Sequence, residues 1–143
     1  MIEPGQPAPD FAARDQDGDR VQLSDFDGKT VVLYFYPKDD TPGCTTEACG
    51  FRDALSRFAD RDAAVLGVSA DTVESHAAFA EKHDLGFRLL ADPEKDIIEA
   101  YDVEGRFGNA ARVTVVIGPD GVIQQVYEDV DPEQHAEQVL EEL

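Results

Sequence analysis

Residues 30–36, Thr-Val-Val-Leu-Tyr-Phe-Tyr, form an unbroken β-branched and aromatic run, the pattern of a strand buried on both faces, and Pro37 ends it. Beyond it Ala48, Phe51, Leu55, Phe58 and Ala59 recur at helical spacing, which predicts an amphipathic helix over 42–59. A second apolar run at 63–70 predicts a strand. Val73, Ala77, Phe79 and Ala80 predict a helix over 73–84, followed by a short strand at 87–91 and a brief helix near 94–101. Two β-rich runs joined by Gly118-Pro119-Asp120-Gly121 read as a hairpin across 111–128. A last helix is expected to open with Asp131 as N-cap and Pro132 at its first position, burying Ala136, Val139, Leu140 and Leu143. The Pro-, Gly- and Asp-rich first 29 residues look like an added hairpin ending in VQLSDFDGK, residues 21–29. Strand–helix alternation closed by a hairpin and a helix indicates an α/β sheet with helices on both faces.

The chain has 143 residues, enough for one domain spanning 1–143 that buries about 68–70% of its unfolded surface. Its 31 acidic and 12 basic residues give a net charge of −19, which opposes binding to nucleic acid or an anionic membrane. The acids are scattered, and only four of the basic residues are Lys. That pattern reads as a solubility device of the kind found in salt-loving cytoplasms. With no basic and apolar leader at the start and no apolar stretch near the roughly 20 residues of a membrane span, the expected location is the cytoplasm.

Two cysteines without a secretion signal read as reactive or metal-binding rather than as a structural staple. In Asp39-Asp40-Thr41-Pro42-Gly43-Cys44, Thr41 is placed to cap the helix with its hydroxyl, Pro42 fits the first helical position, and Cys44 falls on the first turn. Unpaired N–H groups and the helix dipole there favour a thiolate, hence a nucleophile. The same placement also suits a small buried hydrophobe at a helix start. Glu47, three residues on, reads as a solvated first-turn acid, with ordering of a nearby Arg as the alternative. His76 and His83, seven apart on one helix, read as surface histidines. With Cys44, Cys49 and His135 they lack a zinc-ligand spacing, and the chain has no C-x-x-C of the disulfide oxidoreductases.

Pro37-Lys38-Asp39-Asp40-Thr41-Pro42-Gly43-Cys44 matches the Pro-x-x-x-Thr-x-x-Cys signature of the peroxiredoxins. The longer string YFYPKDDTPGCTTEACGFRD resembles their bacterioferritin comigratory protein, or peroxiredoxin Q, branch. Similarity extends through GQPAPDF, VLGVSAD, LLADPEK and RVTVVIGPDG, nearly the whole chain. The resemblance implies a thioredoxin-like fold, a central mixed sheet flanked by helices with an N-terminal β-hairpin extension. It makes Cys44 the peroxidatic nucleophile and Cys49, at C-x4-C spacing, the resolving cysteine. Thr41 and the Gly43 and Cys44 amides become donors to a bound peroxide, Pro37 a wall of the pocket, and Arg112 the guanidinium aimed at the sulfur.

It further implies thioredoxin as reductant; no metal or cofactor and a monomeric chain are also expected. A redox sensor passing one disulfide to a partner protein is the competing reading. The chain departs from the family in a short segment at 102–111 and in Val115, where an aromatic is common, so both are expected to alter the pocket.

Overall fold

The computed structural model describes residues 2–143. Strand β3 (Thr30–Phe35) lies in the interior of a seven-stranded sheet, with β4 (Ala63–Ser69) and β5 (Arg88–Ala91) parallel to it on one side. On its other side run β6 (Val113–Ile117) and β7 (Ile123–Tyr127), each antiparallel to its neighbour. The N-terminal hairpin, β1 (Ala12–Arg14) and β2 (Arg20–Gln22), joins the far edge through β1 and β5 and continues into a single 3-10 turn at Leu23–Phe26. The sheet is therefore mixed, as expected, and its order is β2-β1-β5-β4-β3-β6-β7.

The continuous apolar run of β3 follows from burial on both faces. Val32 and Tyr34, with Tyr36 just beyond, point into one core, which they share with α1 (Pro42–Asp60), Phe79 of α2 (Val73–His83) and α4 (His135–Glu142). Val31, Leu33 and Phe35 point into the other core, against Phe11 and α3 (Asp96–Ala100). Alternation by one residue serves two cores, so Val31 to Phe35 are all aliphatic or aromatic. Gly67 in β4 is fixed by the same packing, because a Cβ there would lie 2.9 Å from the Tyr34 ring.

Three expectations change. The regular part of α4 starts at His135, three residues later than read. Residues 131–134 form a turn in which Asp131 Oδ1 accepts the Glu133 N–H, so Asp131 caps that turn instead. His76 is not a surface residue but wholly buried, with Nδ1 2.7 Å from Asp39 Oδ2 and Nε2 3.0 Å from the Leu90 carbonyl. His83, on the same helix, is half-buried, 3.5 Å from Asp40. Tyr36 Oη and Ser75 Oγ donate to the same Asp39 carboxylate, and the Asp39 N–H donates to Asp71. This network ties the loop leaving β3 to α2 and β5, which fixes the approach to α1. Val115 lies in the core on the opposite side of the sheet from Cys44, so it does not shape the site. The short 102–111 segment closes on itself through Gly105 N–H to the Asn109 carbonyl and leaves Phe107 exposed.

Candidate active site

The C-terminal end of β3, the first turn of α1 and the entry to β6 converge, because Phe35 pairs with Val113 and Arg112 immediately precedes it. Half-buried Pro37 leaves β3, and Asp40, at φ +59°, turns the chain into the helix. The hydrogen-bond ladder of α1 begins with Thr45 N–H to the Thr41 carbonyl at 2.8 Å. Pro42 has no N–H, so the first-turn amides left without an intrahelical acceptor are those of Gly43 and Cys44. Thr41 occupies the N-cap position, yet its hydroxyl makes no cap bond and donates to the Lys38 carbonyl at 2.9 Å. Its proton is thus committed inward, and what Thr41 offers a ligand is acceptor lone pairs, not the donor expected from the sequence.

The Cys44 side chain is buried, and both cysteines are free thiols. Arg112 directs Nη2 to Cys44 Sγ at 3.4 Å and Nη1 to Glu47 Oε1 at 2.8 Å, so one planar guanidinium holds both groups. Burial works against its charge, but Cys44 and Glu47 outweigh that and raise its pKa, keeping it cationic. Glu47 is not solvated: it is 1% exposed, and burial raises its pKa to about 7 despite Arg112. Its Oε2 and the Tyr34 hydroxyl are both buried without a hydrogen-bond partner among the described residues. Cys49 is half-buried two residues further along the same helix.

Residues 4–126 match the AhpC/TSA family. Peroxiredoxin Bcp of Bacillus subtilis is 46% identical, with 99% of this chain and 95% of that protein covered. The chain belongs to the AhpC/TSA family, in its Bcp/peroxiredoxin Q branch. A solved structure of Xylella fastidiosa PrxQ superposes with a TM-score of 0.94 at 33% identity, over 99% of this chain and 95% of that one. Xanthomonas campestris bacterioferritin comigratory protein, solved in work on its alkyl peroxide reduction activity, gives 0.91 at 32%, over 98% and 96%. The peroxiredoxin therefore has the thioredoxin-like fold expected of it and is a thiol-dependent peroxidase.

In this peroxiredoxin Thr41, Gly43 and Cys44 lie at the start of α1 with Arg112 against Gly43 and Cys44, and Pro37 lies on the segment leading into it. Sequence reading preferred a solvated acid at Glu47, and the structure instead shows the alternative, a buried carboxyl that holds Arg112. Its signal lay in the i, i+3 spacing from Cys44, which puts both side chains on one helix face.

Gly43 is fixed by the same contact. A Cβ on it would fall 3.0 Å from Arg112 Nη2, so Gly43→Ala must push the guanidinium away from the sulfur by a few tenths of an ångström. Misplacement on that scale should slow peroxide reduction roughly tenfold. The fold should survive, because the neighbour that yields is a side chain. Competition kinetics against a second peroxidase, alongside a melting curve, reads both quantities.

Proposed function

We propose that Cys44 attacks the peroxide and that Cys49 resolves the product. The supporting observation is the 3.4 Å contact from the Arg112 guanidinium to a buried sulfur at the start of α1. The Cys44 thiolate attacks one peroxide oxygen, forming an S–O bond as the O–O bond breaks. The departing alkoxide or hydroxide takes up a proton and leaves as alcohol or water. Arg112 and the Gly43 and Cys44 amides stabilise the charge moving from sulfur to oxygen, while Thr41 Oγ accepts from the peroxide O–H. Pro37 keeps water from the reacting atoms. The Cys44 sulfenic acid then meets the Cys49 thiol: an S–S bond forms, the S–O bond breaks, and the hydroxyl leaves with the thiol proton as water. A dithiol protein returns both cysteines to thiols by exchange, and thioredoxin is the reductant we assign.

The substrates we assign are hydrogen peroxide and organic hydroperoxides, the latter supported by the alkyl peroxide reduction activity of the Xanthomonas campestris protein. One equivalent of peroxide added to reduced protein should remove both thiols and two mass units from a chain that stays monomeric, read by intact-mass measurement. A mass gain of one oxygen that persists, or a covalent dimer, would sink the assignment of Cys49. The redox-sensor reading differs in turnover: with thioredoxin and its reductase present, an enzyme consumes many equivalents of peroxide and a sensor one.

A cytoplasmic, salt-adapted monomer completes the reading. No helix among the described residues is long and apolar enough to cross a membrane. The net charge of −19 makes the folded form self-repelling at low ionic strength. Screening relieves this, so the melting temperature should rise as KCl goes from low to molar concentration. A flat profile would leave solubility as the only use of the acids.

A further inference from the structure

We propose that Glu47 couples a proton to the oxidation of Cys44 and Cys49. It is sequestered beside Arg112 while α1 is intact, and it is delivered to water as a carboxylate when the first turns of α1 unwind to let the disulfide form. This rests on the assignment of Cys44 and Cys49 as the disulfide pair.

Both cysteines lie within one continuous helix, Pro42–Asp60. Positions five apart on a helix place their Cα atoms roughly 8–9 Å apart and about 140° around the axis, whereas a disulfide spans at most about 7 Å. The segment between them must therefore unwind. Glu47 lies inside that segment, three residues after Cys44 and two before Cys49, and cannot keep its place while the helix around it opens.

That place is an unusual one for an acid. One carboxylate oxygen takes the Arg112 Nη1–H, and the other, fully buried, has no partner among the described residues. A buried oxygen in that condition is costly when it carries charge and less so when it carries a proton. Among the described residues, Arg112 is the one cation that acts on it. On its own helix are Cys44 and Cys49; on β3 is Tyr34, whose hydroxyl is likewise unpartnered and whose pKa is raised by burial first and then by Glu47. From the β6 entry comes Arg112, already shared with Cys44, and beyond it on α4 is His135, whose burial lowers its pKa and disfavours its charged form.

The sign follows. In the helical state the Glu47 pKa is raised to about 7, and burial is the leading cause. Released to water it returns towards the ordinary carboxylate range, about 4.3. Between those values the helical, reduced form holds a proton that the unwound form has lost. Unwinding becomes easier by up to tenfold for each pH unit across that window and gains nothing further above about 7. Below the window the proton-bearing side chain stabilises the intact helix. Glu47 thus acts as a positioning residue for Arg112 in the reduced enzyme and as an electrostatic release for the helix in the oxidised one.

The test is the reduction potential of the Cys44–Cys49 couple, measured from pH 5 to 8 in dithiol buffers for the wild type and for Glu47→Gln, which keeps a carbonyl for Arg112 but has no charge. One additional proton per two electrons makes the wild-type potential steeper than that of the variant by up to about 30 mV per pH unit below pH 7, and parallel above it. Because the variant also alters the field at Cys44, a second measurement reads Glu47 in the unsubstituted protein. Its carboxyl carbon, 13C-labelled, should titrate near pH 7 in reduced protein and near 4.3 after oxidation. Parallel potentials throughout, or the same carboxyl midpoint in both redox forms, would overturn the inference while the disulfide assignment stands. Absence of an intramolecular disulfide by intact mass would overturn that assignment and the inference with it.

Discussion

Cys44→Ser should abolish peroxide reduction completely, while Cys49→Ser should reduce one equivalent of peroxide and then stop with thioredoxin as the only reductant. The asymmetry comes from position on α1. Cys44 sits on the first turn, beside the amides that the ladder leaves open and under the Arg112 guanidinium. Cys49 has left that turn, and no hydrogen bond to its sulfur is made among the described residues' side chains that reach Cys44. A serine hydroxyl at 44 stays protonated at neutral pH and cannot take the thiolate's part. Recycling of Cys44→Ser through many turnovers would remove Cys44 from the reaction, and unimpaired turnover of Cys49→Ser would remove Cys49.

Arg112→Ala should lower the second-order rate with peroxide by roughly a hundredfold or more, the scale for losing one charge-stabilising donor at a reacting oxygen. Arg112→Lys should recover only part, since an ammonium cannot hold Cys44 and Glu47 at once through a planar fork. The alanine variant should also be less stable, contrary to what a guanidinium facing only the substrate would predict. Removing one partner of a buried ion pair costs about 3–5 kcal/mol. Here the loss should fall at or below the lower end, because Glu47 is already half protonated near pH 7 and can finish taking up a proton. The double variant Arg112→Ala/Glu47→Gln should regain stability without regaining rate. Rates unchanged in both single variants would place Arg112 outside the reaction.

Elements whose pattern arises within a few residues were legible from the chain alone. The run at 30–36 and the 3.6-residue recurrence from Ala48 to Phe58 each reported their own burial, and both elements lie where they were read. Residues whose surroundings come from far along the chain were not legible. Glu47 reads as solvated until Arg112, 65 residues later, is folded over it, and His76 reads as exposed until Asp39, 37 residues earlier, turns back beneath α2. Thr41 shows the limit of a local rule. The residue type and position predicted a cap, but the turn at Asp40 brings the Lys38 carbonyl within reach and takes the hydroxyl proton first. Arg112 itself carried no local signal and was found through resemblance.

The contact between Arg112 and Cys44 spans 68 positions of sequence, and this gives the site a timing during synthesis. Ribosomes add about 5–20 residues per second, so on the order of 3–14 s separate the appearance of the cysteine from that of its arginine. Throughout that interval the emerging chain has neither a finished β6 entry nor a guanidinium at the sulfur. If Arg112 activates Cys44 as proposed, the thiol emerges without that charge, and a nascent chain should react more slowly with peroxide than the folded protein. On that reading reactivity arrives when β6 pairs with β3, and the rate of peroxide consumption should report that long-range closure.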